Sequence, residues 1–192
     1  MTFLLLGLLL FLGTHSIRIV ADGWRTRQFA RLGEKRWKGL YSIVALGGFA
    51  LLVWGYGQTR LAPVDLWNPP LWTRHLAALL MLPSLVLLVA AYVPGNRIKA
   101  ALGHPMAAGV KLWAFAHLLA NGRLGDVVLF GAFLVWAVLS FVAARKRDRI
   151  AGTRYPALGA GRDVKVLIVG LLAWVAFTFW AHKWLIGVAP LG

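Results

Sequence analysis

The sequence predicts an all-α protein, a polytopic membrane helical bundle with about six transmembrane helices, and three observations predict it. Hydrophobic residues make up 60% of the 192-residue chain, well above the roughly 45–50% of soluble domains, and the mean hydropathy is +0.72. Apolar runs of about 18–22 residues, each long enough to cross a hydrocarbon layer of about 30 Å, recur from end to end. Between them, basic residues collect in every second connection, which is how membrane proteins set their orientation. No internal repeat or linker divides the chain, so residues 1–192 form one domain.

The first run, about 2–21, opens "MTFLLLGLLLFLG". It lacks a basic leader and a small-residue cleavage site, so it reads as a retained helix. The link 22–38 carries six Lys/Arg and leads to a second helix over 39–57. A third covers 72–93, with Pro83 expected to kink it. The link "PGNRIK" adds two cations before a fourth helix over 98–121, and a fifth covers 124–144. The segment 145–165 holds seven Lys/Arg before the sixth helix, 165–187. The odd-numbered links thus hold fifteen cations, against four in Arg60, Arg74, Arg123 and Lys183. That bias predicts odd links in the cytoplasm and both termini outside. Tryptophans near the run ends, such as Trp24, Trp54, Trp72 and Trp184, suit interfacial anchoring. Gly7, Gly13, Gly47, Gly48, Gly109 and Gly131 suit close helix approach.

The net charge of +15 follows from these links and from anionic lipid headgroups, with no nucleic-acid partner. The chain has no cysteine, which excludes disulfides, iron–sulfur clusters and covalently attached haem. The six acids, Asp22, Glu34, Asp65, Asp126, Asp148 and Asp163, are expected to fall between the apolar runs, leaving no carboxylate relay across the membrane.

Five histidines remain: His15, His75, His104, His117 and His182. An ionisable group inside a membrane is a functional candidate, and a neutral imidazole is a metal ligand that can be buried at little cost. With neither Cys nor a buried acid, two imidazoles on haem iron suit this chain, because the porphyrin brings four ligands of its own. On the fourth helix Val110, Trp113, Ala114, His117 and Asn121 share a face. The small residues Ala107, Ala108, Gly109, Ala114 and Ala116 leave room for a flat ligand or for helix packing. Lys111 lies on another face, where it meets a propionate or another anion, or snorkels. Arg18, three residues after His15, suits a propionate or simply ends its span. Depth argues against His15 as a partner of His117, since the two differ by about 10 Å along the membrane normal. By depth His75, His117 and His182 match better.

The segments "LFLGTHSIRIVADGWR", "KRWKGLYSIVALGGFALLVWGYG" and "HPMAAGVKLWAFAHLLANG" resemble the bacterial NnrU family nearly end to end. That family's name ties it to denitrification, beside nitrite and nitric oxide reductases. It is similar in turn to 15-cis-zeta-carotene isomerase, an integral membrane enzyme that uses haem b and acts on a hydrophobic substrate. By this resemblance the isomerase's haem ligands carry over to His15 and His117, with His104-Pro105 matching a further motif. The implied cofactor is non-covalent haem b in a bacterial inner-membrane protein, with Arg18, Lys111 and His104 near it. One position departs: the isomerase has a cysteine three residues before its second ligand and this chain has Ala114, so no thiol-based ligand switch is available. A shorter resemblance, "GHPMAAG", is to membrane methyltransferases of the isoprenylcysteine carboxyl methyltransferase type, which bind S-adenosylmethionine. Here Gly103 replaces the motif's Arg, its Tyr is missing, and no glutamate comes after Glu34.

Overall fold

The computed structural model describes residues 1–192, and its regular elements are all helices, joined by short connections such as 62–70 and 152–159. The helices are α1 (Thr2–Val20), α2 (Asp22–Leu32), α3 (Glu34–Leu61), α4 (Leu71–Tyr92), α5 (Arg97–Leu102), α6 (Pro105–Ala120), α7 (Leu124–Ala151), α8 (Ala160–Ala176) and α9 (His182–Ile186). A π-turn, Phe177–Ala181, joins α8 to α9 without interrupting the helix. Five helices are long and apolar enough to cross a membrane: α1, α3, α4, α7 and the continuous Ala160–Ile186. The expected fourth span is the exception. It breaks at Gly103, whose φ of +73° favours glycine, and resumes at Pro105, where proline suits a first helical turn. The resumed helix, α6, has only 16 residues, about 24 Å.

Other boundaries move outward. The basic link 22–38 folds into α2 and the start of α3, with Trp24 and Trp37 in edge contact at 5.9 Å. Helix α7 runs past the expected end at 144 and carries Arg145, Lys146, Arg147 and Arg149 on its last turns. Pro83 is accommodated within an unbroken α4.

Packing runs in a row. α3 lies against α1, α1 against α7, α7 against α6, α6 against α4, and α4 against α8. Only 30 of 192 residues are buried, while leucines, isoleucines and valines such as Leu9, Ile43 and Leu172 face outward. That distribution suits a bundle whose solvent is lipid, where close packing and not apolar burial holds helices together. Glycine sets the closest contacts. A Cβ on Gly48 would come within 2.7 Å of the Phe11 nitrogen, and Gly7 and Gly55 meet Leu52 and Leu4 backbone in the same antiparallel seam. Gly170 lies on Val86, with 2.7 Å from a Cβ to Val86 Cγ2. Of the glycines expected to pack, Gly7, Gly48 and Gly109 do, whereas Gly13, Gly47 and Gly131 face open space. The small residues of α6 also serve packing, since Ser84 Oγ donates to the Gly109 carbonyl at 2.9 Å.

The alternation of helix directions brings the basic segments to one end of the bundle. Arg147 there donates to the Arg18 carbonyl at 3.0 Å, and Arg97 Nε lies 3.4 Å from Asp163. At the other end Leu124 donates to the Val64 carbonyl at 2.9 Å and Arg60 to the Ile186 carbonyl at 2.7 Å.

Candidate functional site

His117 sits near the end of the bundle opposite the basic segments. Its Nδ1 lies 2.8 Å from the Trp113 carbonyl one turn earlier in α6. With Nδ1–H as the donor, the tautomer is fixed and Nε2 keeps a free lone pair, which is how metal-binding histidines are commonly held. The ring stacks on Phe130 of α7 at 4.6 Å and lies 5.1 Å from Trp113. On a third side stands His182, with ring centroids 6.4 Å apart and planes 27° from parallel. His182 has the same arrangement, Nδ1 2.7 Å from the Val188 carbonyl. It comes directly after the π-turn, and such turns often mark functional positions.

A buried polar pair lies at the same end of α7. Tyr56 Oη donates to Asp126 Oδ1 at 2.6 Å, and Asp126 is only 5% exposed. The expectation that every acid lies between the spans fails here. Asp126 sits in the first turn of α7, where an acid complements the helix dipole, and a tyrosine hydroxyl meets it inside the bundle.

His15 is also engaged at Nδ1 by a carbonyl one turn back, Phe11 O at 2.7 Å. It lies elsewhere, however, against Tyr41 and against Trp136 at 6.1 Å. Along α7 its neighbour Trp136 and His117's neighbour Phe130 are six residues apart, about 9 Å at 1.5 Å per residue. Phe11, Phe133 and Trp113 fill the interval, each ring within 6.0 Å of the next. The depth difference expected from the sequence is therefore present, and the structure does not bring His15 and His117 together. His15 instead lines a cavity of about 330 Å³ at the basic end with Arg18, Arg25, Tyr41, Ser140 and Arg147. The Arg18 guanidinium lies 3.6 Å from Asp22.

The remaining expected residues separate. The Lys111 ammonium lies over the Phe141 ring at 3.9 Å from the centroid, a cation–π contact. His75 is exposed on α4. His104 lies at the α5–α6 break, where Nε2 is 2.7 Å from Asp148 Oδ2. Tyr155 Oη donates to the same carboxylate at 3.2 Å, and burial and then the Asp148 charge hold its phenol above the usual tyrosine range. No three His, Asp or Glu side chains converge as a metal-ion site.

One family model, described as NnrU protein, matches residues 3–190. No curated protein and no solved structure matches the chain. With the match running over nearly all of its 192 residues, this membrane helical bundle belongs to the NnrU family.

Proposed function

We propose that this chain is a haem b-binding protein of the bacterial inner membrane, both termini outside, with His117 and His182 as the residues that would hold the haem. The observation that carries the reading is the His117–His182 pair. The two ring centroids are 6.4 Å apart with the planes 27° from parallel, near enough that both imidazoles would hold one haem once each ring turns its Nε2 edge toward the iron. Both rings have Nδ1 engaged by a carbonyl. The donor set fits a group that supplies its own four nitrogens, and it does not fit a bare metal ion. With two imidazoles bound, such a group supplies one-electron chemistry, consistent with the family's link to nitrite and nitric oxide reduction. An isomerase-like action on a hydrophobic membrane substrate would need one of the two positions to open.

The chain's own part is to hold. Trp113 and Phe130 pack His117 and keep water from it, the two carbonyls set the tautomers, and the π-turn orients His182. His15 is the ligand implied by likeness to the isomerase, and it is the competitor to His182. The test is an absorption spectrum of protein purified in detergent from haem-sufficient cells, with a pyridine haemochrome assay for haem b. A Soret band is expected. Its absence, before and after haem is added, would overturn the reading. The methyltransferase likeness predicts instead saturable S-adenosylmethionine binding lost in His104→Ala.

A further inference from the structure

The turn between α5 and α6 and the end of α7 enclose a cavity of about 420 Å³ at the basic end of the bundle, within the size range of small-molecule pockets. Its floor is Asp148 and Tyr155, and His104, outside the lining, bonds the same carboxylate. Asp148 joins His104 at 2.7 Å and Tyr155 at 3.2 Å, and the two rings meet edge to face at 5.9 Å. The backbone is shaped to allow this. Gly103, at φ +73°, takes a conformation that favours glycine, and a Cβ there would come 3.3 Å from the Tyr155 ring, which would have to shift by a few tenths of an ångström. Gly152 ends α7 in a left-handed conformation, and the chain returns so that Tyr155 reaches the carboxylate.

The wall is cationic. Arg145, Arg149 and Arg154 line the cavity, all of them exposed. Asp148 is the one acid in the lining, and it is already hydrogen-bonded to His104 and Tyr155. None of the three arginines is in a salt bridge. Arg145 donates to the Leu102 carbonyl at a long 3.3 Å. Arg145 and Arg149 are also four residues apart on one helix, a spacing at which like charges repel. Orientation in the membrane asks only for cations somewhere in this segment. It does not ask for three of them around one cavity whose only acid is already paired.

We propose that this cavity binds a phosphate-bearing anion, with Arg145, Arg149 and Arg154 as donors and Asp148 and Tyr155, braced by His104, as the floor that holds the site open. Guanidinium groups suit phosphate because their paired N–H donors match two oxygens at once. The source is either a soluble phosphate or the headgroup of an anionic lipid.

The test uses the full chain in neutral detergent and reads the thermal midpoint. One arm titrates inorganic phosphate against chloride at matched ionic strength. A second adds phosphatidylglycerol, or phosphatidylcholine as control, in mixed micelles. The double variant Arg149→Gln/Arg154→Gln is compared with Arg27→Gln/Arg31→Gln on α2, which removes the same charge away from the cavity. Stabilisation of the wild type by phosphate, with at least about tenfold weaker apparent affinity in the cavity variant and none of that loss in the α2 variant, supports a soluble ligand. The same dependence with phosphatidylglycerol alone supports a headgroup. No stabilisation by either probe, or an equal loss in both variants, overturns the proposal. Arg149→Lys/Arg154→Lys keeps the charge and loses the paired donors, so an undiminished response there also counts against it. A folded baseline for the cavity variant is checked by its midpoint without added ligand, and all the altered side chains are exposed.

Discussion

Gly47 and Gly48 are adjacent on α3 and answer to different neighbours. Nothing lies within 4 Å of a Cβ on Gly47, whereas a Cβ on Gly48 would stand 2.7 Å from the Phe11 nitrogen and 2.9 Å from Leu10 Cβ. Either Gly→Ala change gains the helix propensity of alanine, up to about 1 kcal/mol. For Gly47→Ala that gain stands alone. For Gly48→Ala the nearest atoms are backbone, and ordinary contact begins near 3.4 Å. Helices α1 and α3 must therefore part by several tenths of an ångström along a seam that Gly7 and Gly55 also hold shut. Overpacking of this kind costs about 1–3 kcal/mol. The propensity term cancels in the comparison, so the two variants are expected to differ by that packing cost. At roughly 2–4 °C per kcal/mol for chains of this size, the midpoints separate by several degrees. Tryptophan fluorescence on heating in detergent reads it. If Gly48→Ala melts at or above Gly47→Ala, the seam is not the tight contact described.

Ligation is tested by the low-spin haem spectrum: His117→Ala and His182→Ala are each expected to abolish it, because iron missing one imidazole changes spin state, while His15→Ala leaves it intact. A signal lost in His15→Ala and kept in His182→Ala would restore the pair implied by the isomerase. Tyr56→Phe strips the hydroxyl from buried Asp126 and should cost about 1–3 kcal/mol in a chemical or thermal melt, whereas Asp126→Asn, still able to accept that bond, should cost less. Lys111→Met, which exchanges a cation–π contact for an apolar one, should leave haem content unchanged by pyridine haemochrome. A single cysteine at Ala157, in a chain that has none, should react with an impermeant thiol reagent in inverted vesicles and not in intact spheroplasts. The reverse result would turn the whole topology over.

The helical bundle was legible because apolar runs and alternating charge are properties of composition along the chain. The ends were less so. Residues 145–151 read as a loop from their charge, yet they continue α7, because a helix can carry its basic turns into water beyond the membrane. The break before Pro105 was hidden by the apolar sequence around it. Proline suits a first turn as well as an interruption, and only the positive φ at Gly103 decides between them. His117 could be singled out from its place on an apolar helix, and its depth already set it nearer His182 than His15. The Tyr56–Asp126 and His104–Asp148 pairs could not be read, since each joins residues 70 and 44 positions apart. The one available signal was Asp126 itself, an acid two residues inside a helix that otherwise reads "LGDVVLFG".

The π-turn at Phe177–Ala181 means that the facing of His182 is set by counting. A π-turn holds one residue more than the α-helical turn it replaces, and one residue of α-helix is worth about 100° of rotation. Delete any single residue from that turn and everything after it swings by that angle. The composition, the hydropathy and the histidine itself would all survive, and the ring would point away from His117. Two chains of this kind could then agree at every conspicuous residue and still differ in whether they can close a ligand pair, with the difference recorded only in the length of an apolar stretch.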